Sequence, residues 1–327
     1  MRIAIVVINW NGLDLLKKYI KTLVKYSDKN NIYVIDNCSD DESVKFLKKN
    51  HSEIKIINLD KNYGFAEGYN IGIKEIKENY ICFINNDIKV TKNWLKPIIN
   101  KLNDNPNLII QPKILDINKV NHFEYAGAAG GYIDKYGYPY CRGRIFDTIE
   151  RDENQFLDEE IFWSSGACMF LSKKIFIQLG GFDKNFFAHM EEIDFCWRAY
   201  NQGYKSYFVS SSKIYHEGAA TIKKNSKKTY LNYRNSLFML TKNLPLENFL
   251  STLILRLIMD ILSSLRFLIR GQFYNFLSVY KAHFDYFFMV KKLLRDRNNN
   301  INKPNYFKIN SIIYKYYIQR KKKFFHL

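Results

Sequence analysis

Polar side chains that could bind metal or move protons follow apolar runs at four places in this 327-residue chain. They are Asn9, Asp36, Asp60 and Asp87. The last stands in FINNDIKV (83–90), where an apolar run delivers one carboxylate to its end. A buried carboxylate without a partner is costly. Either Asp87 has a partner, or the stretch is a surface turn, which Asn and Asp favour.

A second group of ionisable residues lies in the middle of the chain. The stretch MEEIDFCWRAYNQG (190–203) predicts a helix with three carboxylates in its first turn, those of Glu191, Glu192 and Asp194. Acids favour a helix N-terminus, which explains one or two of them without a catalytic role. His216 ends the next strand-like stretch. A lone histidine is more often a buried, hydrogen-bonded side chain than a metal ligand.

The elements that must position these residues alternate between strand and helix patterns. Apolar runs rich in β-branched residues, typical of strands covered on both faces, occupy 3–9, 32–37, 54–59 and 80–87. Segments in which apolar residues recur at helical spacing lie between these runs. This alternation predicts an α/β fold with a parallel, doubly wound sheet. Because ligands bind beyond the carboxyl ends of such strands, the four polar residues would share one crevice, which weakens the surface-turn interpretation.

The pattern is less regular further along the chain. Residues 116–160 are rich in Gly, Tyr and charge, and predict a long loop region or a small antiparallel insert. A strand, a helix and a Gly-Gly turn are predicted over 161–183. From about residue 245 the spacing indicates two long apolar-aromatic helices, the second over 272–295. In the first, Arg256 and Asp260 fall near one face together with Ser263, Ser264 and Arg270.

The net charge of +18 is concentrated in the last third of the chain. Residues 1–221 carry 29 Lys and Arg against 28 Asp and Glu, whereas residues 222–327 carry 21 against 4. Such a basic region indicates an anionic partner, either lipid or nucleic acid. The final run YKYYIQRKKKFFHL (314–327) favours a bilayer interface. For the two helices, that interface and packing against the core with a solvated tail remain equally open.

Composition excludes several classes of protein. With 47% hydrophobic and 16% aromatic residues, the chain can bury a sizeable core and is not expected to be disordered. The residues after Met1 do not resemble a signal peptide, and no run reaches the roughly 18 uncharged apolar residues of a spanning helix. The five cysteines include no CxxC pair and predict reduced, buried thiols in a cytosolic protein.

Seven ordered stretches resemble glycosyltransferase family 2 of the GT-A fold, and more narrowly bacterial, rhamnosyltransferase-like enzymes that build cell-surface polysaccharides. They are VVINWNG (6–12), VIDNCSDDES (34–43), NYGFAEGYNIG (62–72), INND (84–87), WSSGACMF (163–170), GGFDKNFFAHMEEIDFCWR (180–198) and YHEGAAT (215–221). The resemblance implies a Rossmann-like, mostly parallel sheet. It makes residues 1–221 a nucleotide-sugar-binding and catalytic domain, and 222–327 an acceptor-side connector with a basic, amphipathic helical, membrane-associating region.

The resemblance also implies a divalent cation, Mg²⁺ or Mn²⁺, which neutralises the diphosphate leaving group of a sugar nucleotide. Asp87 matches the last acid of the DxD-type motif, the metal ligand of the family. Here the motif reads Asn85-Asn86-Asp87, so it contains a single carboxylate. His216 matches the histidine that completes the metal site from a distant strand end, and Mn²⁺ accepts imidazole.

The donor nucleotide is assigned by the same resemblance. Asp36 matches the acid that accepts from N3–H of the pyrimidine, thymine or uracil alike, and the backbone around Ile8 and Asn9 would line that ring. The remaining donor positions are Asn62, Gly64, Asn86 and Gly166. The stretch 62–72 opens a helix, whose N-terminus suits phosphate. Asp36 could instead cap the helix that follows, but Ser39 and Asp40 are better placed to do so.

Inversion by a single displacement needs a general base for the acceptor hydroxyl. The family places this base in a Glu-Asp pair at a helix start, which matches Glu191-Glu192 here. Glu192 aligns with the usual base, and Glu191 is the second choice. Asp194 and Arg198, at i and i+4, would form a supporting ion pair.

Two further matches concern the acceptor side. Trp163 resembles a position that borders the acceptor, although a core position explains it equally. Arg234 lies in the stretch 230–245, which recurs after the catalytic domain of these enzymes, and could contact a phosphate. A basic loop precedes it, formed by Lys223, Lys224, Lys227 and Lys228. Solvated lysines are the alternative interpretation of that loop.

Taken together, the resemblance implies an inverting, divalent-metal-dependent transferase that moves a hexose or deoxyhexose, such as rhamnose, from a dTDP- or UDP-sugar. The expected acceptor is a growing glycan on a polyprenyl diphosphate lipid, at the inner, cytoplasmic face of the bacterial membrane. No nucleic-acid partner is expected, and a homo-oligomer is compatible with the prediction.

Two alternatives belong to other classes of protein. A nucleic-acid-binding protein would use the basic tail, but no nucleic-acid motif is present. A related nucleotidyltransferase would also use a strand-end Asp and a metal, but it gives no reason for the stretch MEEIDFCWR (190–198).

Overall fold

The computed structural model describes residues 1–218, 226–297 and 305–327. The predicted domain boundary between 221 and 222 lies outside the described residues, as do Lys223, Lys224 and the end of the stretch YHEGAAT.

Strands and helices follow the predicted alternation in the first half of the chain. The strands are β1 (Ile3–Asn9), β2 (Ile32–Asp36), β3 (Lys55–Asn58), β4 (Tyr80–Asn85), β5 (Ile88–Val90), β6 (Leu108–Asp116), β7 (Gly131–Ile133), β8 (Pro139–Cys141), β9 (Arg144–Ile145), β10 (Thr148–Ile149), β11 (Glu159–Ile161), β12 (Cys168–Ser172) and β13 (Lys205–His216). The α-helices are α1 (Leu13–Tyr26), α2 (Ser43–Asn50), α3 (Gly64–Gly72), α4 (Leu95–Asp104), α5 (Lys173–Gln178), α6 (Glu191–Asn201), α7 (Ser226–Asn243), α8 (Leu246–Ile269) and α9 (Phe273–Arg295).

The main sheet has nine strands in the order β11-β13-β6-β12-β4-β1-β2-β3, with β5 paired to β13. Strands β1 to β4 pair in parallel, as predicted, so their carboxyl ends meet at one edge. The register places Asn9 beside Asp36 and Ile8 beside Asn85. Strand β12 enters antiparallel between β4 and β6. The α/β class is confirmed.

Both faces of the sheet are buried, which explains why these strands read as continuous apolar runs. Successive residues of β1 point to opposite faces of the sheet. Val6 belongs to the hydrophobic cluster on one face, which includes Tyr69 of α3, and Val7 belongs to the cluster on the other face, which includes Leu16 of α1. The apolar face of α1 thus packs on one face of the sheet, to which every second residue of β1 contributes a side chain.

A small antiparallel sheet follows within the predicted irregular region, in the order β10-β9-β8-β7. The second interpretation of that region, an antiparallel insert, is confirmed. The end of the chain packs against this sheet. The Phe324 ring stacks on Tyr132 and Tyr140, and Tyr316 is buried with its hydroxyl 2.8 Å from that of Thr148. The rings of Tyr316 and Phe324 are therefore used internally, whereas the contact of the final run with a membrane stays a prediction.

The two long C-terminal helices are confirmed as α8 and α9. On α8 the polar side faces the protein, because Arg256, Asp260 and Ser264 are buried. In the described parts of the chain, every helix is too short or too polar to cross a membrane.

All five cysteines are free thiols. Cys82, Cys141, Cys168 and Cys196 are buried, as predicted. Cys38 is exposed, because it lies in a turn after β2 with a left-handed backbone (φ +61°).

Candidate functional site

Three strand ends are joined by their side chains. Asn86 Nδ2 donates to Asn9 Oδ1 at 3.0 Å, and Asn9 Nδ2 donates to Asp36 Oδ1 at 3.3 Å. A Cβ on Gly12 would lie 2.4 Å from both Asn86 Nδ2 and Asn9 Oδ1, so a larger residue would force apart the two atoms that form this hydrogen bond. Asp60, the fourth predicted strand end, is exposed and lies outside this row. The parallel register thus assembles three of the predicted donor-site residues.

The Asp36 carboxylate also holds the turn after β2. Its Oδ1 accepts from the Ser39 hydroxyl at 2.7 Å, and its Oδ2 accepts from the Ser39 backbone N–H at 2.9 Å. A carboxylate has about four lone-pair sites, so Oδ2 keeps one for a further donor. The prediction that Ser39 or Asp40 caps α2 is wrong, because Asp41 Oδ1 accepts from the Ser43 N–H at 2.9 Å.

Asp87 and His216 meet because β5 pairs antiparallel with β13. The register sets Ile88 opposite His216, and the Asp87 carbonyl accepts from the Glu217 N–H at 3.1 Å. As a result, Asp87 Oδ1 lies 3.0 Å from His216 Nε2, and both side chains are buried. The structure therefore brings the two predicted metal ligands together.

A third ionisable residue, Glu124, lies on the other side of the imidazole. Its Oε2 is 3.0 Å from His216 Nδ1 and accepts from the Ala126 N–H at 2.6 Å. Burial lowers the pKa of His216, but the charges of Asp87 and Glu124 outweigh it and raise that pKa to about 10. Glu124 was missed from the sequence, because it lies in the irregular region and carries no signal beyond an acid among apolar residues.

The Asp87–His216 pair fits a divalent cation. Asp87 Oδ1 and both ring nitrogens of His216 are buried and make no hydrogen bond of normal geometry. One carboxylate oxygen and one imidazole nitrogen suit Mn²⁺ better than Mg²⁺, which prefers oxygen ligands. Among the described residues, no three or more His, Cys, Asp or Glu side chains are arranged as a metal site. Further ligands would have to come from a bound diphosphate and water.

Glu191 and Glu192 occupy the first turn of α6, directly after two left-handed residues, His189 and Met190 (φ +70° each). As whole residues, Glu191 is buried and Glu192 is half-buried. Glu192 lies against Gly166, where an added Cβ would be 3.5 Å from the Glu192 Cβ. Burial raises the pKa of both carboxyls, and the charge of Glu192 raises that of Glu191 further. Glu192 Oε2 is itself buried and has no hydrogen-bond partner. A carboxylate oxygen without a protein donor and with a raised pKa suits a general base.

The left-handed loop before α6 is held by Asn235 on α7. Its Nδ2 lies 2.7 to 2.9 Å from the carbonyl oxygens of three loop residues, Phe186, Ala188 and His189. Non-glycine residues with positive φ are strained and persist only where their surroundings fix them. Asn235, which the sequence did not single out, therefore fixes the approach to the two glutamates.

Arg234 holds the same loop and has little capacity left for a phosphate. Its Nη2 donates to the carbonyls of Asn185 and Phe186 at 3.0 and 3.2 Å, and its Nη1 donates to the Tyr230 hydroxyl. Nε donates to Asn235 Oδ1 at 2.9 Å. The structure thus favours a structural role over the predicted phosphate contact, because protein acceptors occupy these donors.

Asp194 and Arg198 form the predicted ion pair, with Nε to Oδ2 at 2.8 Å. Lys242 Nζ and Asn243 Nδ2, both on α7, also donate to Asp194, at 3.1 and 2.8 Å. Burial would raise the pKa of Asp194, but the charges of Lys242 and Arg198 outweigh it and lower that pKa. The pair is thus a link between α6 and α7.

Asn62 and Gly64 form the turn that opens α3. Asn62 Oδ1 accepts from the Gly64 N–H at 2.8 Å and from Asn37 Nδ2 at 3.0 Å. Gly64 has a left-handed backbone (φ +76°), and a Cβ on it would lie 2.5 Å from the Phe187 ring. This turn therefore lies against the loop that precedes the two glutamates.

Ile8 is half-buried against the core, and Trp163 is fully packed in the interior. The Ile8 side chain fills the space beside Gly68, where a Cβ would lie 2.5 Å from it. Trp163 Nε1 donates to the Tyr132 carbonyl at 2.9 Å, and a Cβ on Gly131 would lie 1.9 Å from its ring. The structure favours the core alternative for Trp163, because the buried indole presents no surface to an acceptor.

The model of the family described as Glycosyl transferase family 2 matches residues 4–180, more than half of the chain. The chain belongs to glycosyl transferase family 2. The resemblance seen in the motifs is confirmed, and the nucleotidyltransferase alternative is set aside. The match covers the row from Asn86 to Asp36 and also Asp87, and it ends before α6 and β13.

Curated relatives of this family member are sugar transferases according to their names. It is 24% identical to the low-salt glycan biosynthesis hexosyltransferase Agl10 of Haloferax volcanii, over 60% of this chain and 61% of Agl10. It is 23% identical to the dTDP-rhamnosyl transferase RfbF of Shigella flexneri, over 69% and 76%. It is 32% identical to an N-acetylglucosaminyl-diphospho-decaprenol L-rhamnosyltransferase of Mycobacterium tuberculosis, over 25% and 27%. The match thus spans about three fifths of Agl10 and a shorter part of the mycobacterial enzyme.

Solved structures show the same GT-A fold. GalNAc-T7, crystallised with UDP, GalNAc and Mn²⁺, superposes with a TM-score of 0.58 at 15% identity, over 74% of this chain and 48% of that one. The mannosyltransferase PcManGT from Pyrobaculum calidifontis, in complex with GDP-Man and Mn²⁺, gives 0.52 at 14% identity, over 90% and 85%.

Proposed function

We propose that the chain is an inverting, divalent-metal-dependent glycosyltransferase that moves a hexose or deoxyhexose from a dTDP- or UDP-sugar to a growing glycan. The observation that carries the proposal is that Glu192 and the end of β4, two residues before Asp87, border the same loop. Gly166 lies against Glu192, and the carbonyl of the next residue, Ala167, accepts from the Asn85 N–H at 3.0 Å. A single displacement needs this arrangement, with a base for the acceptor and a cation site for the leaving group.

In the proposed step, the Glu192 carboxylate takes the proton of the acceptor hydroxyl as that oxygen attacks the anomeric carbon. The bond to the diphosphate breaks at the same time, and the diphosphate leaves with the electron pair. Attack opposite to the leaving group inverts the anomeric centre. Glu191 is the second choice of base, because Glu192 aligns with the usual base of the family and Glu191 is the more deeply buried of the two.

Asp87 and His216 would hold the cation, which when bound neutralises charge on the leaving diphosphate. Mn²⁺ is favoured over Mg²⁺ by the imidazole and by the Mn²⁺ named in two solved neighbours. The remaining lone pair of Asp36 suits the N3–H of thymine or uracil. Rhamnose as the sugar, and dTDP as its carrier, are supported by the name of the relative RfbF.

The acceptor is proposed to be a glycan on a polyprenyl diphosphate lipid. The mycobacterial relative is named for a decaprenol-linked diphosphate acceptor, which supports this class. Such a lipid would hold the enzyme at the inner face of the membrane, with the catalytic domain over 1–221 and the acceptor-side region over 222–327.

The test is calorimetric binding and slow hydrolysis of a panel of dTDP- and UDP-sugars, with Mn²⁺, with Mg²⁺ and with chelator. We expect one nucleotide sugar to bind and hydrolyse only with metal, and Asp87→Ala to abolish both. Asp60→Ala is the matched control, because Asp60 also follows a strand of the sheet but is exposed outside the row. Absence of binding under every metal condition would overturn the proposal. Retention of RNA instead would favour the nucleic-acid alternative.

A further inference from the structure

Helices α8 and α9 carry large apolar side chains on their solvent side. Leu250, Ile258 and Leu265 of α8 are exposed, as are Leu277, Phe284 and Phe288 of α9. Phe288 is 72% exposed and Leu250 66%. We call these six side chains the outward apolar face. Soluble monomers rarely expose a contiguous apolar surface of this kind without a partner.

The side of α8 and α9 that faces the protein is polar instead. Arg256 Nε donates to Asp260 Oδ1 at 3.0 Å, and His283 Nε2 of α9 lies 3.4 Å from Asp260 Oδ2. Arg256 Nη2 donates to the Ser236 hydroxyl of α7 at 2.8 Å, and its guanidinium lies 3.8 Å from the centre of the Tyr138 ring. These contacts fix which side of α8 faces the protein. The polarity is the reverse of an ordinary surface helix.

Charge decides between the partners that could cover this face. The exposed basic residues on the two helices and at the C-terminal cap of α8 are Arg266, Arg270, Lys281, Lys291, Lys292 and Arg295. Residues 222–327 carry 21 basic against 4 acidic residues. A second copy of the chain would bring the same positive charge, so self-association through this face is opposed by repulsion. An apolar face with basic residues on the same helices suits anionic lipid.

We propose that the outward apolar face lies flat in the interface of an anionic lipid bilayer, with the surrounding basic side chains on the headgroups. The 24 residues of α8 would then lie along the membrane plane over roughly 36 Å at 1.5 Å per residue. This placement agrees with the absence of a spanning helix in the part of the chain that the structure describes. It rests on the proposed function only for its purpose, the approach to a lipid-linked acceptor.

The test is flotation of the full chain with vesicles of phosphatidylcholine alone or mixed with phosphatidylglycerol. We expect flotation with the anionic vesicles, and a loss of partitioning of about tenfold or more in the double variant Ile258→Glu and Leu265→Glu, because two charges would enter the apolar interface. Ile177→Glu is the matched control, since Ile177 is an exposed isoleucine on α5, and it should float as the wild type does.

Three flotation results would overturn the proposal. They are no flotation of the wild type, equal flotation with both vesicle types, and flotation that the double variant leaves unchanged. A dimer in sedimentation velocity that the double variant dissociates would assign the face to self-association and also overturn it. Nucleotide-sugar binding is measured on the same samples. If the protein binds the nucleotide sugar but does not float, only the membrane docking is refuted. If the protein floats but does not bind the nucleotide sugar, only the proposed function is refuted.

Discussion

The carboxylate of Glu124 lies 3.0 Å from Nδ1 of His216, on the side of the ring opposite to Asp87. The imidazole is thus held between two acids. A carboxylate on the far nitrogen of a metal-binding histidine fixes the orientation of the ring and increases the basicity of the ligating nitrogen. We infer that Glu124 is a positioning residue for the proposed cation site.

Replacement of Glu124 by Gln is expected to weaken Mn²⁺ binding about 10- to 100-fold, because the ring loses the charge that orients it. Calorimetric titration of Mn²⁺ in the presence of UDP measures this without turnover. Glu217→Gln is the control, since that carboxylate contacts Tyr19 and Lys18 instead. Unchanged affinity in Glu124→Gln would refute the inference.

Glu192→Gln is expected to lower kcat by about 10²- to 10⁴-fold, the usual contribution of a general base. Nucleotide-sugar affinity should stay unchanged, since the amide keeps the shape of the side chain. Steady-state kinetics and calorimetry on the same variant separate the two effects. Glu191→Gln should lose less activity, and the reverse order would exchange the roles of the two glutamates.

The activity is expected to fall as the pH is lowered through the raised pKa of Glu192. Burial lifts the pKa of this carboxyl above its ordinary value of 4.5, so protonation removes the base at a higher pH than for an exposed glutamate. A profile of kcat against pH measures the acid limb. An acid limb at or below 4.5 would show that another group governs it.

Glu191→Gln is expected to stabilise the protein at about pH 8 and to have no such effect at about pH 4. Burial and the charge of Glu192 raise the pKa of Glu191 in the folded state. Ionisation of Glu191 in the folded state therefore costs free energy. The stability of the protein is complete below the unfolded pKa, where the group is neutral in both states, and is reduced as the pH rises through the folded pKa. Calorimetric Tm values at both pH values test this, with exposed Glu75→Gln as the control. Equal shifts at both would contradict it.

Asn235→Ala is expected to cost about 1–3 kcal/mol in the free energy of unfolding, because buried carbonyls of the loop lose their donor. It should also lower kcat, since the loop before α6 sets the position of Glu192. Urea unfolding and kinetics measure the two effects. Asn232→Ala, on the same helix, controls for the helix itself. A variant with full stability and full activity would remove Asn235 from this role.

The row formed by Asn9, Asp36 and Asn86 could be predicted because each of its residues follows a strand that is recognisable from its own few residues. Continuous β-branched runs specify strands covered on both faces, and a parallel order brings their ends to one edge. Asp87 follows from the same argument. Its contact with His216 followed only from the resemblance, since no periodicity indicates that β5 pairs with β13.

Glu124 and Asn235 could not be predicted, because both act through contacts between segments that are distant in sequence. Glu124 belongs to a region without periodicity, and Asn235 acts on a loop whose left-handed backbone leaves no trace in residue type. The orientation of α8 was hidden for another reason. Its pattern shows that two faces differ, but a buried Arg256–Asp260 pair decides which face turns inward.

The pairing of β5 with β13 has a consequence for folding. Asp87 and His216 are distant in sequence, and such contacts form late, because chain entropy must first be overcome. A chain still being synthesised could complete β1 to β4, and with them the row at the strand ends, before β13 exists. Asp87 and His216, the two residues of the proposed cation site, can meet only after β13 has been made. An immature chain would therefore hold the proposed nucleotide-binding row without the proposed cation site.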